Sequence, residues 1–195
     1  EDLNLPKTNY WLYPENGTHD ACVDRYLKNP EEDFPVFYIS FPASKDPDFQ
    51  NRYPGKSTID IITLVPFDMF GPWEGSSWMK RGQDYEELKE WLTQRLIDKL
   101  LEHFPQVQGK IEHKELSTPL STAFFTRYDK GEIYGVDHSP SRFRQKFLQP
   151  RTPVRDFYLT GQDIVTAGIG GALFSGLLTA SAMTGTNFMK KIIQG

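Results

Sequence analysis

The chain has one cysteine, Cys22, among its 195 residues. A lone cysteine forms no internal disulfide and builds no cysteine-based zinc site, and such sparing use points to a reducing compartment. A basic block is missing too: 22 Lys and Arg stand against 26 Asp and Glu, a formal net charge of −4. That balance argues against binding nucleic acid by phosphate neutralisation. No internal repeat and no low-complexity segment is present. The first residues, Glu1 and Asp2, are neither an initiator methionine nor a charged-then-apolar leader, so the expectation is a processed chain or a piece of a longer one. A dinucleotide fingerprint is also lacking. Gly168-Ile169-Gly170 starts like one, but Leu173 stands where glycine or alanine is required, and too little chain follows for a βαβ unit.

Aromatics, by contrast, are plentiful: Phe 14, Tyr 9 and Trp 4, within 38% hydrophobic and 25% charged residues. This is the composition of a folded domain, about 1.3 typical domains when length is divided by roughly 150. Phe34 to Phe41 is aromatic, β-branched and bounded by prolines, which predicts a strand. Asp46-Pro47 and Tyr53-Pro54-Gly55 predict a loop. Ser57 to Val65 alternates, with Ile59, Ile61, Thr63 and Val65 on one face, and predicts a half-buried strand. Asp84 to Phe104 predicts a helix with the stripe Tyr85, Leu88, Leu92, Leu96, Leu100 and Phe104. Asp84 and Glu87 are expected to form a capping box, and Pro105 to end the helix. Ile111 to Ser117 predicts a further strand, Thr118-Pro119 opens a helix with Leu120, Phe124 and Phe125, and Phe157 to Gly161 predicts a buried strand. Gly168 to Met183 predicts a small-residue helix. The fold class is mixed, α+β: an antiparallel or mixed sheet with helices, then a strand–helix tail.

Chemistry concentrates in the tail, Thr160-Gly161-Gln162-Asp163 through Gly168-Ile169-Gly170-Gly171. Glycines at a helix start let a ligand approach the backbone, and first-turn amides with the helix dipole favour negative charge. Two other readings stay open. The small residues could serve close packing alone, or the charge-free run of 26 residues from Ile164 to Met189 could enter a membrane.

The chain resembles the flavoprotein family of phytoene desaturase, carotenoid isomerase and retinol saturase. The resemblance lies in Phe41-Pro42-Ala43-Ser44-Lys45-Asp46-Pro47, Leu64-Val65-Pro66-Phe67-Asp68, Thr118-Pro119-Leu120, Gly131-Glu132-Ile133-Tyr134-Gly135, Arg151-Thr152-Pro153 and the glycine motif. These pieces run in the family's order from about Phe37 to Ser181. The resemblance implies an oxidoreductase or isomerase that exchanges hydride between FAD and a polyene lipid. It implies that residues 1–155 belong to a substrate-binding domain. Residues 156–195 would then complete an FAD-binding α/β domain whose N-terminal half, with its own glycine fingerprint, is the missing partner. It further implies flavin contact at Gly161, Asp163, Gly168, Ile169, Gly170 and Gly171. A chain lacking that half is expected to hold little FAD alone, and to self-associate through the surface it leaves uncovered.

Trp73, Trp78 and Tyr134 are candidates for lining a polyene site, although loop tryptophans equally well cap a core. His138 and Arg142 near Tyr134 would hold a polar end of a substrate or stand in solvent. His103 and His113 have no helix-face partner, so no metal site is expected. Arg142, Arg144, Lys146, Arg151 and Arg155 would touch anionic lipid or form a solvated loop. Asn16-Gly17-Thr18 is a glycosylation sequon, but a cytoplasmic or membrane-associated location is favoured over secretion. No acid or base stands out as catalytic. The alternative function is a non-catalytic α+β module that binds an apolar ligand or protein.

Overall fold

The computed structural model describes residues 3–14 and 18–194. Asn16 and Gly17 of the sequon lie outside the described residues. The chain divides into two compact units, Glu1–Thr126 and Arg127–Gly195, so the tail from 156 onward shares its unit with residues 127–155.

The first unit holds a three-stranded antiparallel sheet in the order β1 (Tyr10–Leu12), β2 (Phe37–Ser40), β3 (Asp60–Thr63), which bears out the α+β expectation. The strands predicted within Phe34–Phe41 and Ser57–Val65 are present as β2 and β3. The alternation read in the sequence sets their faces: Ile61 turns inward and Ile62 outward. Two elements carry weak sequence signals. β1 has three residues and pairs Tyr10 with Ile39. Helix α1 (His19–Lys28) is capped by Thr18, whose Oγ1 accepts from the Ala21 amide, and it buries Cys22 and Tyr26 one turn apart. The expected loop after β2 contains two single-turn helices, α2 (Pro42–Lys45) and α3 (Phe49–Arg52).

Helix α4 (Gln83–His103) organises the unit. Leu96 and Leu100, with Phe104 just beyond, pack among Tyr26, Phe34, Phe37, Ile39 and Phe41. Tyr85 and Leu92, nearer its start, pack with Phe70 and Leu120. Pro105 ends the helix as expected. The capping box is not formed. Gly82, at φ 89, is the N-cap, so Asp84 already lies inside the first turn, where its carboxylate accepts from the Tyr85 amide and complements the helix dipole. Arg95 ties α4 to the segment before β2, donating to the carbonyls of Pro30 and Glu32 while its guanidinium lies over Phe34 and Trp91.

Residues 111–117, expected as a strand, have no regular structure. Only Leu116 turns inward, and Lys114 is drawn to Glu90 by an ion pair, which leaves too little apolar face for a sheet. Helix α5 (Pro119–Thr126) follows as predicted.

The second unit is helical: α6 (Pro140–Phe143), α7 (Ile169–Thr184) and α8 (Phe188–Gln194). The strand expected at 157–161 is reduced to one bridge, Arg151 to Tyr158. Asp156 takes a positive φ of 58, the Thr152 hydroxyl donates to the Phe157 carbonyl, and Phe157 is exposed. The charge-free run from Ile164 breaks into a 3-10 turn, α7 and α8, and no helix among the described residues is long and apolar enough to cross a membrane.

Tyr26 has no exposed surface, and its hydroxyl has no hydrogen-bond partner. Burial pushes its pKa up, while the charge of Arg95 pulls the other way. A raised tyrosine pKa contributes stability that is full below the unfolded value of about 10 and is lost as pH rises above it. Tyr26→Phe is therefore expected to hold or raise stability at neutral pH by about 1 kcal/mol, and to lessen the alkaline loss. Urea unfolding at pH 7 and at alkaline pH measures both.

Candidate functional site

The glycine turn of the second unit is built by side chains acting on backbone. Helix α7 turns Gly171, Ser175 and Thr179 inward, one residue per turn along a single face. Ser175 Oγ accepts from the Gly161 amide at 2.7 Å and donates to the Ala172 carbonyl at 2.6 Å. Thr179 Oγ1 lies 2.8 Å from the Leu159 carbonyl and 2.9 Å from that of Ser175. At Gly171 a Cβ would stand 1.9 Å from the Thr166 carbonyl oxygen. Close packing therefore explains this glycine directly.

Gly168 and Gly170 are placed differently. Each is exposed, and an added Cβ would meet nothing within 4 Å. Gly168 sits at φ 97 as the N-cap of α7, with no side-chain cap and no acidic residue in the first turn. Ile169 is 90% exposed. The first-turn amides lack intrahelical partners, so this end of α7 is an electropositive backbone surface open to solvent.

Between the two, Gly161 takes φ 101 and leads a 3-10 turn, Gln162–Ile164. Asp163 Oδ1 accepts from the Val136 amide at 2.9 Å, and a Cβ on Gly135 would come within 2.0 Å of that oxygen. Gly135, at φ 69, therefore excludes a side chain on two grounds. Arg142 was a weak candidate in the sequence, but it is 5% exposed and donates to the carbonyls of Gln162 and Asp163. His138 Nε2 accepts from the Ala167 amide. Their spacing from Asp163 gives no motif by which these roles could have been read.

The three aromatic candidates lie elsewhere. Trp73 packs edge-on against Tyr85 beside the second core cluster. Trp78 stacks on Phe124 at 5.2 Å, meets Phe125 edge-on and has the Arg81 guanidinium over its ring. Both belong to the first unit; Tyr134 is in the second and is 55% exposed. The clefts lined by Pro14, Cys22, Arg25, Glu32 and Asp33 and by Arg151, Leu178 and Met189 include none of them. Groups of three or more His, Cys, Asp or Glu close enough to hold a metal do not occur among the described residues.

The two kinds of glycine separate by mutation. Gly170→Ala is expected to leave stability within about 1 kcal/mol or improve it, alanine being the better helix former. Gly171→Ala is expected to cost about 2–3 kcal/mol by forcing α7 off the turn. Thermal unfolding of the two variants compares them, and equal costs would contradict the geometry.

The comparison with known proteins agrees with the sequence resemblance. No family model matches the chain, and no solved structure matches it significantly. Over 194 residues, 96% of this chain, it is 36% identical to the human all-trans-retinol 13,14-reductase. It is 33% identical over 193 residues to a Danio rerio relative named as an inactive all-trans-retinol 13,14-reductase. A more distant match, 25% identical over 171 residues, is a chloroplastic prolycopene isomerase of Arabidopsis thaliana, of which the chain covers 27%. The chain spans about a third of the length of the reductases it matches, 32% of the human one. Across the region it spans, the chain is similar to the all-trans-retinol 13,14-reductases, at 36% identity to the human protein and 32% to that of Danio rerio.

Proposed function

We propose that the chain is part of an FAD-dependent oxidoreductase or isomerase that acts on a polyene lipid, a retinoid or a carotenoid. The observation that carries this reading is the open, uncapped start of α7 within a region homologous to the retinol reductases. The residues fit an electron-rich group. Ile169 and Gly170 offer first-turn amides with no side chain of Gly170 in the way, no carboxylate competes in that turn, and Arg142 Nη1 is a buried donor without an acceptor. FAD, when bound, supplies a hydride donor or acceptor to a carbon of the polyene.

This chain's own residues have simpler tasks. The α7 amides stabilise negative charge at the flavin's pyrimidine edge. Gly161, Asp163 and Gly171 set the path of the turn, through Ser175, Val136 and Thr166 respectively. The outward residues Ile169, Leu173 and Phe174 are exposed here and are proposed to meet the FAD-binding half, keeping water from the site. Trp73, Trp78 and Tyr134 stay proposed polyene contacts.

The inactive Danio rerio relative favours a second reading. Its identity to this chain, 33%, matches the 32% of the reductase from the same organism, so this region is retained without the reaction. A non-catalytic member that only binds a polyene is consistent with that.

The full-length product is expected to purify with bound flavin or to take up FAD, and Gly170→Val to weaken uptake at least about tenfold with thermal stability kept. A full-length protein that stays colourless after incubation with FAD sinks the first reading. Flavin binding without conversion of retinol or prolycopene favours the second. For the 195-residue chain alone, light scattering is expected to find dimers or larger species; a clean monomer counts against α7 as a covered surface.

A further inference from the structure

The turn from Gly161 to Gly168 is held along one side by residues 136–142, and each contact has a direction. The Val136 amide donates to Asp163 Oδ1, the Ala167 amide donates to His138 Nε2 at 2.8 Å, and Arg142 Nη2 donates to the Gln162 and Asp163 carbonyls at 2.9 and 2.8 Å. The two segments therefore run past each other, with Arg142 gripping the start of the turn and His138 its end, one residue before the Gly168 cap. Two of these contacts demand a particular chemical state. An amide can donate to Nε2 only if that nitrogen carries a lone pair, which imidazolium lacks. Arg142 stays cationic, yet both acceptors it reaches are neutral carbonyls, and the Phe143 ring lies 4.9 Å from its guanidinium carbon.

We propose that His138 and Arg142 are positioning residues for the flavin-contacting turn, and that His138 makes the hold pH-dependent. Neutral imidazole fixes Ala167 and with it the direction of the first α7 amides; protonation removes the acceptor and frees that end of the turn. The proposal rests on the reading that FAD meets the start of α7. On its own segment His138 stands in sequence beside Asp137, Arg142 and Arg144, its ring meets that of Phe143, and the turn it holds carries one titratable residue between 161 and 168, Asp163. The Asp163 carboxylate is engaged by the Val136 amide.

The test measures FAD affinity of the full-length protein by quenching of flavin fluorescence at pH 8 and pH 5.5. Wild-type affinity is expected to fall about fivefold or more on acidification, the size of one hydrogen bond lost. His138→Gln, whose side-chain oxygen accepts at either pH, is expected to change less than about twofold. Arg142→Ala is expected to weaken binding about tenfold at pH 8, and Arg142→Lys to recover part of it. Hydrogen exchange across 161–168 in the cofactor-free protein, corrected for intrinsic rate, gives a second reading: protection drops at pH 5.5 in the wild type and holds in His138→Gln. Binding and protection that ignore pH in the wild type, or fall equally in His138→Gln, overturn the inference. A protein that takes up no FAD at either pH overturns the functional reading instead, and exchange still decides whether His138 holds the turn.

Discussion

The second unit is shaped by one constraint: among the described residues the backbone from Leu159 to Ala167 joins no strand ladder, and beyond the Leu159 amide on the Pro150 carbonyl and the short bonds of the 3-10 turn its polar groups find partners among side chains. Ser175 takes the Gly161 amide, Thr179 the Leu159 carbonyl, Arg142 two carbonyls in succession and His138 the Ala167 amide. This explains why α7 is built of small residues on its inner face. A helix carrying leucine at 171 or 175 could not come close enough for hydroxyls to reach the chain below it. The exposed start of α7 follows from the same arrangement. With the turn held from the side and from beneath, the helix needs no capping side chain, and its first amides stay available.

The first unit depends on a different device. Helix α4 carries one apolar stripe long enough to serve two clusters, the aromatic one at β2 and the smaller one around Phe70 and Leu120. Apolar burial of this kind is non-directional, so the sheet needs only three short strands. Arg95 adds direction, since its donors reach the carbonyls at Pro30 and Glu32 while its flat face rests on two rings.

Legibility in the sequence followed periodicity. Helix α4, the Phe34–Phe41 and Ser57–Val65 strands and α7 all repeat a pattern over several residues, and each was found within a few residues of its place. The errors fell where a single residue decides. Gly82 at positive φ displaced the expected Asp84 cap, and Asp156 at positive φ turned an expected strand into a bridge. Residues 111–117 were expected as a strand, but of their two large apolar side chains Ile111 is exposed and only Leu116 turns inward, and the charges between are held at the surface. Of the site, the glycines were visible and their division of labour was not. Gly168 and Gly170 face open space and Gly171 faces Thr166, a difference set by helical phase relative to a neighbour that the motif does not name. His138 and Arg142 act through backbone contacts 20 or more residues away in sequence, where spacing carries no information.

The hydroxyls of α7 have a consequence beyond their own bonds. Ser175, Thr179, Ser181 and Thr184 all bond to carbonyls of their own helix, and no residue of α7 is charged. Its outward surface, with Ile169, Leu173 and Met183 exposed, is accordingly hydrocarbon and bare backbone. Beyond the first turn, with its free amides, a contact made there is selected by shape. Its strength would change little with ionic strength and would weaken on cooling, as apolar association does.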